Sequence, residues 1–399
     1  MKSIKFNRYI VLIGLPIILW QCYWYVGFNQ NITKMLDLVV SLILLFVFAK
    51  KLFSNKKDKY NRFVSFVVVF YLLSILMALF YWGQSPILTY RAGVGPLVML
   101  YYFVLQRYKV TEKELIRIVF VFASIYTLLW LYAVSQAPRV VFGNLEELND
   151  DRGFYRILQL RSLDTVCLLY FISLVQFIKN SYKTKWLIVA VICFIVIFLA
   201  LSRMFIFAAV LVSVFFILRK KIALAFIISI VLFLGFERLS QNEVVSNMME
   251  MSSSQLNNAE ENNLRLVEYR NVFTAYPFHV GTALFGNGAA HIQSDYGKYD
   301  DKLKWDMGFN RSDAGYVGIY VTYGACMLIL LFVLLFHIVK LRTPMNYQAF
   351  RLFVFFLFID NLTSYSFWGY GVSFAISLYA LSLYEESQMK NKIGLANQK

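Results

Sequence analysis

The sequence predicts an all-α polytopic membrane protein, with about 12 transmembrane helices and one large extracytoplasmic loop that contains short helices. Three observations predict this class. Of the 399 residues, 59% are hydrophobic and only 16% are charged, which leaves too little polar surface for a soluble globule of this size. The apolar residues form closely spaced runs of membrane-spanning length. Lys and Arg recur in every second connection between these runs.

The apolar runs set the number of predicted spans. A span needs about 20 apolar residues to cross roughly 30 Å of hydrocarbon. The twelve candidate runs lie at 9–26, 34–49, 63–82, 92–106, 116–134, 164–178, 186–202, 204–218, 222–236, 315–339, 351–365 and 368–384. The first follows a short basic segment and lacks a small-residue cleavage site, so we expect an uncleaved first helix.

The distribution of basic residues predicts the orientation, because cytoplasmic connections collect Lys and Arg and short outer loops do not. The segments assigned to the inside hold 25 of the 39 Lys and Arg. They are MKSIKFNR, KKLFSNKKDKYNR, QRYKVTEKELIR, KNSYKTK, RKK, KLRTPMNYQAFR and the C-terminal tail. Both termini are therefore predicted to be cytoplasmic. The net charge of +16 reflects this topology, and we expect no nucleic-acid partner.

The predicted spans divide the chain into three parts. Residues 1–236 carry helices 1 to 9, residues 237–314 form the large extracytoplasmic loop, and residues 315–399 carry helices 10 to 12 and a cytoplasmic tail. A smaller outer loop is predicted at 135–163. A helix bundle does not need a polar connection as long as 237–314, and long loops are usually functional or disordered. We therefore expect the active site on this loop.

Cysteine and histidine usage argues against a metal or redox centre. The four Cys show neither CxxC spacing nor clustering with the three His. The positions are Cys22, Cys167, Cys193 and Cys326.

Three arginines are candidates for binding an anionic group. Arg203 lies between two apolar runs, where it either snorkels at a helix end or forms a fixed cation for an anionic headgroup. Arg265 and Arg270 lie on a helix predicted for the loop segment NLRLVEYRNVFTAYP, about 140° apart around its axis. They are either solvated charges paired with nearby glutamates, or one of them directs its guanidinium fork toward a phosphate.

The loop segment TALFGNGAAHIQSDYG holds further candidates. Gly286 and Gly288 permit a simple turn or a close approach of a ligand. His279 and His291 are either surface histidines or acid/base groups. The pattern lacks the third glycine and the flanking strand of a dinucleotide-binding fingerprint, which excludes that kind of site.

Two acids lie at the predicted membrane boundary. Asp313 precedes the tenth span, where it either caps the helix or binds sugar hydroxyls and accepts a proton from one of them. Asp360 lies at a similar depth and has the same two interpretations.

The order of these features resembles the O-antigen polymerase (Wzy) family, within the O-antigen polymerase and ligase superfamily. The resemblance is clearest from about residue 186 to 340. Its elements are the pair Ser202 and Arg203, then Arg265 and Tyr269, then a proline, then LFGNG with Gly286 and Gly288, and finally the spacing from Gly318 to Gly324. Ligases of the superfamily usually carry a histidine before the helix that follows the loop, whereas this chain has Asp313, which disfavours the ligase reading.

The resemblance implies a metal-independent glycosyltransferase without a cofactor, in the bacterial cytoplasmic (inner) membrane. It would be an oligosaccharide repeat-unit polymerase for O-antigen or capsule-type polysaccharide. Its substrate would be an oligosaccharide linked to undecaprenyl diphosphate, and a flippase and a chain-length regulator are expected partners. The catalytic candidates are Arg203, Arg265 and Asp313. The substrate-binding candidates are Arg270, Gly286, Gly288, His291 and Asp360. The alternatives are a transporter or lipid-oligosaccharide flippase, and an O-antigen ligase.

Overall fold

The computed structural model describes most of the helical bundle and part of the large loop. The described residues are 8–19, 30–52, 58–136, 139, 141–142, 162–180, 183–200, 202–220, 275–276, 279–307, 311 and 314–396. Within these ranges the secondary structure is helical and contains no strand, as predicted for an all-α protein.

Fifteen α-helices are described in these ranges. They are α1 (Leu15–Leu19, after a π-helical turn at Ile10–Gly14), α2 (Gln30–Leu52), α3 (Lys59–Trp82), α4 (Pro86–Ala92), α5 (Tyr101–Arg107, after a 3₁₀ turn at Gly95–Leu100), α6 (Glu112–Gln136), α7 (Leu163–Lys179), α8 (Thr184–Leu199), α9 (Arg203–Lys220), α10 (Val280–Phe285), α11 (Asp295–Met307), α12 (Gly315–Lys340), α13 (Met345–Asp360), α14 (Ser366–Gly369) and α15 (Gly371–Ala396).

Several helices are long and apolar enough to cross a membrane. Among the described residues these are α3, α6 and α12, with a fourth if α4 and the segment Gly95–Arg107 are counted together as one bent span. Helices α8 and α9 are apolar but shorter. The described residues are therefore all-helical, and three or four of their helices could cross a membrane, which is compatible with an all-α membrane protein but does not confirm the predicted twelve spans. The predicted ninth span, 222–236, lies outside the described residues.

The fourth predicted span, 92–106, corresponds to the 3₁₀ turn and helix at Gly95–Arg107, and the chain bends sharply just before this segment. The chain bends by 72° between α4 and the segment Gly95–Arg107. Pro96 lacks a backbone N–H and disfavours helical geometry in the residue before it, so the helix cannot continue through this point. Gly95 packs so closely on Trp368 that an added Cβ would lie 2.9 Å from the Cβ of that residue.

The bundle is built around α7, whose residues from Leu163 to Val175 are all buried. A helix that is apolar on every side belongs in the interior of a bundle, and α7 packs against α6, α8 and α13. The peripheral helices α2, α8 and α9 instead expose large apolar side chains such as Phe46, Ile192 and Phe215. Such extended apolar surfaces are typical of contact with lipid.

Contacts at one end of the bundle, here called the basic end, join segments that carry many Lys and Arg. Arg8 forms a 3.0 Å ion pair with Glu114. The carboxylate of Asp58 accepts hydrogen bonds from Tyr102 at 2.7 Å and Ser382 at 3.0 Å. Arg8, Asp58 and Glu114 come from three segments that the charge pattern assigns to one side of the membrane. Tyr102 and Ser382 lie in the predicted spans 92–106 and 368–384, and these contacts place them at the same end. The opposite end, where α3 finishes and the described part of the large loop lies, is called the loop end.

Candidate functional site

The loop segment that contains α10 descends into the bundle at the loop end. Phe285, at the end of α10, packs on Phe70 of α3 with ring centroids 6.2 Å apart. Gly288 follows in the turn and lies against the carbonyl of Ser74. Ser74 is about two helical turns before the end of α3, so the turn lies roughly 12 Å below that end. The segment is therefore re-entrant, and it returns to the loop end after the turn.

A break in α12 receives this turn. Gly324 has φ 79° and ψ 178°, which interrupts the helical hydrogen-bond ladder. In an unbroken helix the carbonyls of Val321 and Thr322 would each accept the N–H four residues later. Here they accept the N–H groups of Asn287 at 2.8 Å and Gly288 at 3.0 Å. Non-helical backbone at membrane depth is stable only where such groups are satisfied within the protein, and this pairing meets that condition.

Two glycines make the close approach of the turn and α12 feasible. Gly286 has φ 80°, and a Cβ on it would lie 2.3 Å from the Thr322 carbonyl. Gly324 has φ 79°, and a Cβ there would lie 2.3 Å from the carbonyl of Leu284. Both positions combine a left-handed backbone with no space for a side chain, so each needs glycine. Gly286 of the LFGNG segment and Gly324 of α12 therefore pack as one unit.

Side chains at the end of α3 fix the returning part of the loop. Gln84 is 2% exposed, and its amide donates to the Ala289 carbonyl at 2.8 Å. Its side-chain oxygen accepts the backbone N–H of His291 at 3.0 Å and the Ser294 hydroxyl at 2.5 Å. The indole of Trp82 donates to Asn287 at 2.9 Å. The loop is thus held by the bundle on two sides.

Arg311 organises the polar part of the described loop. Its guanidinium donates to the Gly288 carbonyl at 3.1 Å, to the Tyr296 hydroxyl at 2.8 Å and to the Tyr276 hydroxyl at 3.2 Å. It also pairs with Asp300 at 2.5 Å and lies over the rings of both tyrosines. Its side chain is only 12% exposed. We call these five residues the Arg311 cluster.

The charges in the Arg311 cluster stabilise one another. Burial works against the charged guanidinium, but the two tyrosine hydroxyls and Asp300 more than offset it and raise the pKa of Arg311 well above its usual value. Burial also raises the pKa values of Tyr276 and Tyr296, so both hydroxyls stay protonated at neutral pH. The Tyr276 hydroxyl donates to Asp300 at 2.5 Å. The guanidinium is therefore fixed in one orientation.

Asp360 lies at the end of α13 and organises the connection that follows it. The residue is 2% exposed. One oxygen of its carboxylate accepts the hydroxyls of Ser364 at 2.9 Å and Ser366 at 2.6 Å. Tyr365, between these serines, stacks on Tyr323 of α12 with ring centroids 6.3 Å apart. The Asp360 connection therefore packs beside the break in α12 that receives the re-entrant turn.

Arg203 is the first residue of α9 and is half-buried. Phe205, two residues later, packs on Phe356 of α13 at 4.6 Å and on Tyr370 at 5.7 Å between ring centroids. Phe356 lies one turn before Asp360, so Arg203 begins its helix at about the depth of that acid. The arginine is thus a half-buried cation at the loop end.

The structure brings some of the predicted site residues together and leaves others apart. Gly286 and Gly288 lie in the re-entrant turn, and His291 follows them, its ring accepting the Gln293 N–H at 3.3 Å. Asp360 and Arg203 lie on other helices at the same end. The ring of His279 stacks on Tyr81 at 4.5 Å and is exposed. Three predicted residues lie outside the described part of the chain, namely Arg265, Arg270 and Asp313.

Two features of the site were missed by the sequence prediction. Arg311 was not singled out, because its partners come from segments separated along the chain and show no periodic spacing. Asp164, at the start of α7, is a buried acid, with 2% of its surface exposed. Its position at the beginning of an apolar run was the sequence signal that could have identified Asp164 as a candidate.

The arrangement combines a fixed guanidinium cluster, a half-buried arginine and buried acids, all recessed at one end of an apolar bundle. Fixed cations stabilise negative charge that develops on a leaving group, and hydroxyl and carboxylate groups bind sugar hydroxyls. Comparison with family models and with curated proteins finds no match for this chain.

Proposed function

We propose that the chain is an oligosaccharide repeat-unit polymerase in the bacterial cytoplasmic membrane. It would transfer the nascent glycan from undecaprenyl diphosphate to an incoming lipid-linked repeat unit, as part of O-antigen or capsule-type polysaccharide synthesis. In this proposal the loop end faces outward and the basic end faces the cytoplasm, because Lys and Arg collect on the cytoplasmic side. A flippase would deliver the repeat units, and a chain-length regulator would limit the product.

The observation that carries the proposal is the seating of the loop in the break of α12. A lipid diphosphate lies at the membrane boundary, so an enzyme that acts on it needs polar groups fixed at that depth. The re-entrant turn holds the Arg311 cluster against the bundle at the loop end, which in this proposal lies at the membrane boundary. A loop that merely joined two helices would not need a break in α12 at which two helix carbonyls accept N–H groups of the loop in place of N–H groups of their own helix.

The reaction would break the bond between the anomeric carbon and the diphosphate and form a glycosidic bond to the acceptor hydroxyl. The negative charge grows on the diphosphate, so guanidinium groups stabilise the transition state. We assign this role to Arg203 and Arg265, with Arg270 as a binding group. The proton of the acceptor hydroxyl would pass to Asp313. Gly286, Gly288, His291 and Asp360 would shape the binding region for the sugar units.

A deletion strain tests the proposal. Without a polymerase, single repeat units are still made, exported and attached, so surface glycan should shrink to one unit. Electrophoresis of surface glycan measures this. Loss of even the single-unit band would indicate a flippase, and long chains retained on the lipid carrier would indicate a ligase. Either result would overturn the proposal.

Substitutions at Arg203 test its assigned role. Lysine keeps the charge but loses the two-pronged geometry that matches phosphate oxygens. We expect Arg203→Lys to reduce polymer at least about tenfold and Arg203→Ala to reduce it further, at normal protein level. Arg342→Ala is the matched control, because it removes an exposed arginine at the basic end. Full polymer with Arg203→Ala would remove this residue from the mechanism.

A transporter or lipid-oligosaccharide flippase is the second candidate. The break in α12 and the 72° bend after α4 are the observations that favour it, because carriers build their binding sites from discontinuous helices. The bend adjoins the re-entrant turn, since a Cβ on Gly93 would lie 2.6 Å from that of Ala289. The deletion strain separates the two candidates, because repeat units stay inside the cell without a flippase.

A further inference from the structure

A surface groove of about 570 Å³ lies at the basic end, opposite the candidate site. It runs between the start of the chain, α6 and α8. Arg117, Tyr9 and Trp186 line its rim, near the beginning of their helices. Ile13 and Val121 line it one turn further along the bundle. The groove therefore changes from polar to apolar along the direction in which a lipid lies in a membrane.

The charge at the rim of the groove is positive. Glu114 is the acid nearest to Arg117 on α6, but its carboxylate is already bound by Arg8 at 3.0 Å and by the Thr111 N–H at 2.8 Å. No acceptor among the described residues contacts the Arg117 side chain, which is exposed. Lys185 adds a second cation, 5.6 Å from the ring of Trp186. The rim thus presents Arg117 and Lys185 as cations that no acid in the described part of the chain contacts.

We infer that this groove binds an anionic phospholipid of the leaflet at the basic end. The Arg117 fork would contact the phosphate oxygens, and Tyr9 and Trp186 would lie at headgroup level, where amphipathic aromatic rings are favoured. An acyl chain would follow the apolar walls. Basic pockets between helices on the cytoplasmic side suit anionic headgroups, and the apolar half of the groove excludes a soluble phosphate as the preferred occupant.

Native mass spectrometry of the purified full chain tests this inference, with phosphatidylglycerol and phosphatidylcholine as probes. We expect the first phosphatidylglycerol to bind at least about tenfold more tightly than phosphatidylcholine, and Arg117→Ala to remove this preference. Arg107→Ala removes an exposed arginine at the same end, outside the groove, and should leave the preference unchanged.

A second variant tests the apolar half of the groove. Val121→Trp fills the space for an acyl chain, so both lipids should bind more weakly while the unfolding temperature stays near that of the wild type. Equal binding of the two lipids to the wild type, or the same loss in Arg107→Ala as in Arg117→Ala, would overturn the inference. The assay measures binding alone, so its result is independent of whether the chain proves to be a polymerase.

Discussion

Arg311 joins three segments of the same loop, around residues 276, 288 and 296–300, and its guanidinium is bound on several sides. If one member of a buried charged network is removed, its partners stay buried without hydrogen bonds. The resulting loss of folding free energy is much larger than the net stabilisation that the intact network provides. The shape of the guanidinium matters as much as its charge. Lysine has one nitrogen and cannot reach Tyr276, Tyr296 and Gly288 together.

We therefore expect Arg311→Ala and Arg311→Lys to lower the stability of the loop by about 3 kcal/mol. Limited proteolysis of the purified protein measures this as faster cleavage within 275–311, followed by a lower unfolding temperature. The control is Lys298→Ala, which removes an exposed cation from the same loop. Equal protease resistance of the wild type and Arg311→Ala would show that the cluster does not hold the loop.

At the scale of the element, the break in α12 is the feature that connects the loop to the bundle. A straight helix would keep the carbonyls of Val321 and Thr322 for its own ladder, and the re-entrant turn would then lose its two acceptors. The re-entrant turn therefore depends both on these two hydrogen bonds and on the positive φ of Gly324, which interrupts the helix.

Gly324→Ala should destabilise the protein by about 1 to 3 kcal/mol, because it forces a side chain into a left-handed backbone with a carbonyl 2.3 Å away. The unfolding temperature in detergent measures the loss. Gly369→Ala is a matched control, since a Cβ on Gly369 meets nothing within 4 Å. If both variants unfold at the same temperature, the packing argument for Gly324 fails.

The sequence predicted most of the long helices, because a long apolar run determines where a helix can lie in a membrane. The tenth run, predicted at 315–339, corresponds to α12 at Gly315–Lys340. The break inside it was not predicted, since Gly324 is a single residue in an otherwise apolar run. Its geometry depends on α10, which is remote along the chain, so local pattern alone carries no information about it.

The candidate site was predicted less completely than the helices. Gly286 and Gly288 were predicted to form a turn or a place where a ligand comes close, and the structure places them in a turn that lies against the backbone of α12 and α3. The bundle itself provides that backbone. Arg311 was missed because a cluster assembled from a turn, a helix and a single loop residue has no sequence periodicity. Both the backbone that lies against the two glycines and the partners of Arg311 are set by packing between residues far apart in the chain, which composition does not encode.

At the scale of the whole molecule, the two ends of the bundle differ in charge and in backbone structure. In the proposed topology the basic end faces the cytoplasm, as the positive-inside rule predicts. A cysteine introduced at Lys298, an exposed loop-end position, should react with a membrane-impermeant reagent in intact cells. A cysteine at Lys113, exposed at the basic end, should react only after permeabilisation.

The labelling is best done in a chain whose native cysteines are replaced by serine, with that background chain as the control. Labelling of the Lys113 position in intact cells, together with protection of Lys298, would invert the orientation. That result would contradict the proposal that the reaction takes place on the outer face of the membrane.

The pairing of the re-entrant turn with α12 also constrains biogenesis. The ribosome makes Asn287 and Gly288 before it makes the carbonyls that accept their N–H groups. Until Val321 and Thr322 leave the ribosome, the turn has no partner at membrane depth, and entering lipid would leave those donors unsatisfied. In the proposed topology we therefore expect the nascent turn to stay outside the hydrocarbon until the later helix is inserted. An early segment of the chain would then reach its final place only after a later one has arrived.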